Sequence, residues 1–122
     1  MRQRFGDKPT NVNLKRRAYY AAYIKSRRWY ARRERWEREA VEVAGGAQLS
    51  CLGCGAPWTA RRGDLHHLTY NRIGNEAYDD LIPLCRGCHA LLHSVMDRLP
   101  KSGKTPVHQR DLVAKMRSWR TY

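Results

Sequence analysis

Long apolar runs are missing from this 122-residue chain. No stretch approaches the roughly 18 consecutive apolar residues of a membrane span, so no membrane-spanning helix is expected. The opening run Met1-Arg2-Gln3-Arg4-Phe5-Gly6 leads into no apolar core. A secretory signal is therefore not expected, and the cytoplasm is the expected compartment. Low-complexity tracts are absent too, which excludes collagen-like and mucin-like classes. Phenylalanine occurs once, but tyrosine and tryptophan bring the aromatic share to 10%, too rich for a fully disordered chain. Acidic residues are scarce, 11 against 24 lysines and arginines.

That scarcity leaves a net charge of +13 and a pI near 10.2. A charge this large on a small domain points to a polyanionic partner, and the excess of arginine over lysine suits phosphate and bases. The charge is unevenly spread. Residues 1–44 carry 13 basic and 5 acidic side chains, residues 45–93 carry 4 of each, and residues 94–122 carry 7 and 2. A neutral centre sits between two basic arms. The segments read as a basic helical arm (1–46), a core (47–99) and a basic tail (100–122) within one compact domain.

Proline and glycine are absent between Thr10 and Ala44, with Pro9 before and Gly45-Gly46 after, which is helix punctuation. Ala22, Trp29, Trp36 and Val43 recur every seven residues, with Ala40 one turn from Trp36, and form the expected buried stripe. A bend at Lys25, with Ser26 as cap, divides the segment into two helices. Arg27, Arg28, Arg32, Arg33, Arg35 and Arg38 fall on the opposite faces. The first four are candidate nucleic-acid contacts. Tyr19, Tyr20, Tyr23 and Tyr30 read as packing residues rather than base-stacking platforms. Further on, Leu65–Leu68 and Leu81–Leu84 read as short strands and Arg86 to about Leu99 as a helix. Tyr70–Asp80 reads as a loop, and Gln109–Trp119 as a short terminal helix.

The four cysteines form two pairs, Cys51-x-x-Cys54 and Cys85-x-x-Cys88. A disulfide framework does not fit a chain read as unexported, and a redox CxxC leaves the second pair unexplained. Two knuckles are what a tetrahedral structural Zn2+ site requires. Four of the five histidines lie beside them. His89 and His93 are four apart on a helix and share a face. His66 and His67 are neighbours on a strand and point to opposite faces. One of them can join His89 and His93 around a second metal, leaving the other free to take a proton. That set suits metal-assisted phosphodiester hydrolysis. A two-cysteine, two-histidine finger fails because position 71 is Asn71, not histidine. Haem attachment at Cys85-Arg86-Gly87-Cys88-His89 would need export. His108 stands alone.

The run Leu65-His66-His67-Leu68-Thr69-Tyr70, then Gly74-Asn75-Glu76, then Asp80 through His89 and on to His93, resembles the HNH endonucleases. The segment Tyr23-Ile24-Lys25-Ser26-x-x-Trp29 is similar to the helical lead-in of small bacterial and phage members. The resemblance implies an α+β fold: a ββα-metal core stapled by a four-cysteine zinc site, with N-terminal helices and a short C-terminal helix. It implies His67 as general base and His66, His89 and His93 as ligands of a catalytic divalent ion (Mg2+, Mn2+, Ni2+ or Zn2+). The family's usual asparagine, which orients the base, is replaced at the aligned position by Asp80. Arg62 and Arg72, near the hairpin, are candidate phosphate contacts. The expected partner is double-stranded DNA, with a homodimer or a phage or restriction protein as the protein partners this reading admits. The expected setting is a bacterial or phage-infected cell. The competing expectation is a zinc-stapled nucleic-acid-binding module without catalysis.

Overall fold

The computed structural model describes residues 11–120, and side chains from 14 to 119. The opening run Met1–Gly6, read as no secretory signal, and the punctuation at Pro9 lie outside the described residues. The chain opens with α1 (Asn11–Tyr23) and α2 (Arg27–Val43). The break between them falls where the sequence places it. Ser26 leaves helical geometry, and its hydroxyl accepts a hydrogen bond from the Trp29 amide at 3.2 Å, satisfying one of the free N–H groups of a helix start. The buried stripe differs from the sevenfold reading. Tyr23, Trp29, Arg32, Trp36 and Ala40 are buried, whereas Ala22 and Val43 are exposed. The non-helical turn at 24–26 resets the phase, so Tyr23 rather than Ala22 joins the stripe, and Val43 is exposed as the last residue of α2.

The centre holds β1 (Asp64–His67) and β2 (Leu81–Leu84), paired antiparallel with His66 opposite Ile82 and His67 opposite Leu81. A single 3-10 turn over Tyr78–Asp80 feeds β2. Cys85 then caps α3 (Arg86–Met96), which stops before the expected Leu99. A second 3-10 turn, Lys101–Gly103, leads to α4 (Pro106–Arg120), which starts three residues earlier than the sequence suggests. Among the described residues no helix is long and apolar enough to cross a membrane.

The hairpin lies between two helical layers, and its two faces feed two separate cores. Leu65 and Leu81 pack with Tyr23, Trp29, Trp36, Ala40 and Trp58. Ile82 and Leu84 pack with Leu68, Leu92, Val113, Met116 and the cysteines Cys51 and Cys88. Strand alternation assigns the faces, and burial on both sides explains why β2 is apolar throughout and why His66 and His67 are both buried. Trp58 ties the first knuckle to the hairpin: its indole N–H donates to the Asp64 carbonyl at 3.0 Å and the Leu84 carbonyl at 3.2 Å. A Cβ at Gly63 would lie 2.1 Å from that indole nitrogen, so only glycine fits there. The basic terminal segment is no loose tail. Val113 and Met116 are fully buried, and α4 packs on α3.

Candidate functional site

Each knuckle places two thiols by local hydrogen bonding. The Cys54 amide donates to Cys51 Sγ at 3.5 Å, and the Cys88 amide to Cys85 Sγ at 3.4 Å. All four sulfurs lie within 4.8 Å of one another, and Cys54 and Cys85 Sγ are 3.8 Å apart. Ligands at 2.3 Å in a tetrahedron are separated by about 3.8 Å, so the four thiols fit a structural metal of zinc's preference. Burial pushes the Cys85 thiol up, but hydrogen bonds from Cys88, Cys54 and Cys51 outweigh it and bring it down to about 7. The cluster leaves no slack: a Cβ at Gly53 would meet Cys88 Sγ at 2.9 Å and Met116 Sδ at 3.3 Å.

On the same side of the hairpin, His66, His89 and His93 bring one nitrogen each within 4.8 Å of the others. Strand and helix spacing produce this. His66 points toward α3, where His89 and His93 stand one turn apart. Burial, reinforced by the neighbouring histidines, lowers His66 to about 4 despite its bond to Gln109; burial also lowers His93. Both are neutral near pH 7, the form in which imidazole binds metal.

The surrounding hydrogen bonds fix which nitrogens are available. His89 Nδ1 faces Asp64 Oδ2 at 2.9 Å, so it carries the proton and Nε2 keeps its lone pair. His89 Nε2 and His93 Nε2 are 3.1 Å apart. Two nitrogens bound to one cation at about 2.1 Å lie about 3.0–3.4 Å apart, across right-angled to tetrahedral geometry. The Gln109 amide nitrogen donates to the carbonyls of Leu68 and Lys104, at 3.1 and 2.7 Å, so its oxygen must be the atom facing His66. His66 Nε2 therefore donates to Gln109 Oε1 at 2.6 Å, and Nδ1 is the atom left for a ligand. Three imidazoles, two oriented by acceptors behind them, fit a divalent cation.

His67 points the other way, toward α1 and α2. Its ring lies 4.7 Å from Trp29 and 5.8 Å from Tyr20, centre to centre. Its Nε2 is 2.8 Å from Glu76 Oε2, and Glu76 Oε1 accepts the Tyr23 hydroxyl at 2.8 Å. Arg32 Nε holds the Glu76 carbonyl at 3.1 Å. Burial pushes the Glu76 carboxyl up, but hydrogen bonds from His67, its own amide and Tyr23 prevail and hold it below the usual range. An ionised carboxylate only accepts, so His67 Nε2 is protonated and Nδ1 is the basic atom.

The orienting residue is thus Glu76, where the sequence pointed to Asp80. Asp80 is engaged elsewhere: Arg72 grips both its oxygens, at 2.7 and 2.5 Å, and the Ala77 amide binds one at 2.8 Å. The same pairing commits Arg72, a candidate phosphate contact, to an internal latch. Three of the four candidate arginines on α2 are also struts. Arg28 binds the Gly74 carbonyl at 2.9 Å, Arg32 is 4% exposed, and Arg33 binds the carbonyls of Ala60 and Gly63. Arg27 and Arg62 are exposed.

Asp64, Glu76 and Gln109 are the residues that sequence reasoning missed. Asp64 had a signal, lying two residues before His66 and so on the same strand face. Glu76 stood inside the resembling run without an assigned role. Gln109 had none, because the tail matches no motif. Compared with protein-family models, curated proteins and solved structures, the chain finds no match in any of the three.

Proposed function

We propose that this chain is a metal-dependent DNA endonuclease of the HNH kind, with a four-cysteine zinc staple. The observation that carries the reading is the division of labour at β1. His66 joins His89 and His93, while its neighbour His67 is held by Glu76 with a basic nitrogen to spare.

In this reading His67 Nδ1 takes a proton from water as the water oxygen attacks phosphorus. The bond from phosphorus to the 3′ oxygen breaks, and that oxygen takes a proton from solvent. The products then carry 5′-phosphate and 3′-hydroxyl ends. Glu76 holds the imidazole in one orientation and stabilises the imidazolium, as the buried carboxylate of a hydrolase triad does. His66, His89 and His93 would hold the divalent ion, which when bound supplies Lewis-acid stabilisation of the phosphate charge.

Supercoiled-plasmid nicking by the purified chain tests this, with Mg2+, Mn2+, Ni2+ or Zn2+ in turn and chelator as control. Nicking should need metal and vanish in His67→Ala while DNA binding persists. Glu76→Gln should retain binding and lose up to roughly 10⁴-fold in rate, the cost of the equivalent amide replacement in a hydrolase triad. Binding without cleavage under every metal would favour the zinc-stapled binding module. Equal cleavage by His67→Ala would remove His67 from the role of base.

A further inference from the structure

Arg32 is buried, and Arg28, Arg33 and Arg72 are tied to groups of the hairpin loops, so other exposed cations are better placed to meet a polyanion. Lys15, Arg16 and Arg17 on α1 are exposed and make no ion pair among the described residues. They line one wall of a groove of about 820 Å³, whose other lining includes Tyr19, Tyr20 and Tyr70. Tyr19 is 51% and Tyr70 53% exposed, unusual for rings beside a core. Tyr20 and Tyr70, which line the groove, stand over the buried His67: they lie 5.8 and 5.7 Å from its ring and 4.9 Å from each other.

We propose that this groove between α1 and the loop after β1 binds one unpaired DNA strand, its phosphates on Lys15, Arg16 and Arg17 and its bases on Tyr19 and Tyr70. Exposed aromatic rings beside a run of cations suit an unpaired strand, whose base faces are open; paired bases are already stacked on each other. The groove lies within the roughly 300–1,000 Å³ of pockets for drug-sized molecules, room for one or two nucleotides rather than a double helix. The inference rests on the nuclease reading for why a strand should run past His67, although the binding itself does not need cleavage. It implies that the substrate is opened, frayed or already single-stranded at the scissile bond.

Fluorescence anisotropy tests it, using the zinc-loaded full chain in a His67→Ala background, so that the DNA stays intact. The probes are a labelled single-stranded oligonucleotide, its RNA counterpart and the matching duplex. Tyr70→Ala should weaken single-strand binding by roughly 5- to 150-fold, the equivalent of 1–3 kcal/mol of stacking. Tyr70→Phe should bind as the parent does, which separates lost stacking from lost structure. Replacing Arg16 and Arg17 together by alanine should lower the salt dependence of single-strand binding by about 1.4 logarithmic units per decade. Unchanged single-strand binding by Tyr70→Ala, or an equal loss for duplex, overturns the groove. Tighter binding of the RNA probe overturns the choice of DNA. If the parent chain does not nick plasmid but Tyr70-dependent strand binding remains, the groove stands and the nuclease reading fails. If nicking needs His67 but strand binding ignores Tyr70, the reverse holds.

Discussion

Gln109 shows how one side chain can decide the chemistry of another. Its amide nitrogen is fixed by two carbonyls, so its oxygen faces His66 and sets that imidazole's tautomer. Gln109→Ala removes this and takes the donor from the buried Leu68 carbonyl, at a cost of about 1–3 kcal/mol, and from the half-buried Lys104 carbonyl. In protein carrying one zinc equivalent, at the four-thiol site, cobalt titration should show affinity at the histidine cluster falling roughly 10- to 100-fold, with the four-thiol ion retained. Unchanged affinity would make Gln109 a packing residue only. Of these relations, the sequence made the opposite facing of His66 and His67 legible, because alternation in a strand is obligatory. It did not reveal Glu76 or Gln109. Each acts across a gap of 9 or 43 residues, set by the path of a loop or the docking of a helix. Asp80 was misread because alignment gives a position but not the partner that takes it.

The hairpin is the element on which both sites depend. The two short strands, the helix after the second knuckle and the bend before α2 were legible, since each carries a local signal: alternation, periodicity or a cap. The depth of α4 was not. Its charge suggested a solvated tail, yet Gln109, Val113 and Met116 mark a narrow buried stripe on an otherwise basic helix. The loop between the strands is latched to the start of β2 by Arg72 and Asp80. The Arg72 hydrogen bonds, opposed by burial and aided by the Ala77 amide, hold the Asp80 carboxyl below its ordinary value. A carboxyl depressed on folding stabilises the native state above its unfolded value and loses that effect as pH falls through the folded one. Thermal melts should therefore find Asp80→Asn less stable than the parent at neutral pH. The gap should close progressively below about pH 4. A gap constant down to strong acid would mean that the latch contributes packing rather than charge.

At the scale of the whole molecule, +13 does not mean thirteen cations facing solvent. Arg28, Arg32 and Arg33 on α2 hold carbonyl oxygens of the loops around the hairpin, so composition alone overstates the cations open to solvent there. What remains is a three-layer arrangement in which one hairpin supports a four-sulfur cluster and a three-nitrogen cluster of different character. The central claim is that these hold two ions with separate duties. Native mass spectrometry of the full chain, loaded with Zn2+, counts them directly. The parent should carry two ions, and the variant with His66, His89 and His93 all replaced by alanine should carry one. A parent with a single ion, or a histidine variant that still carries two, would contradict it.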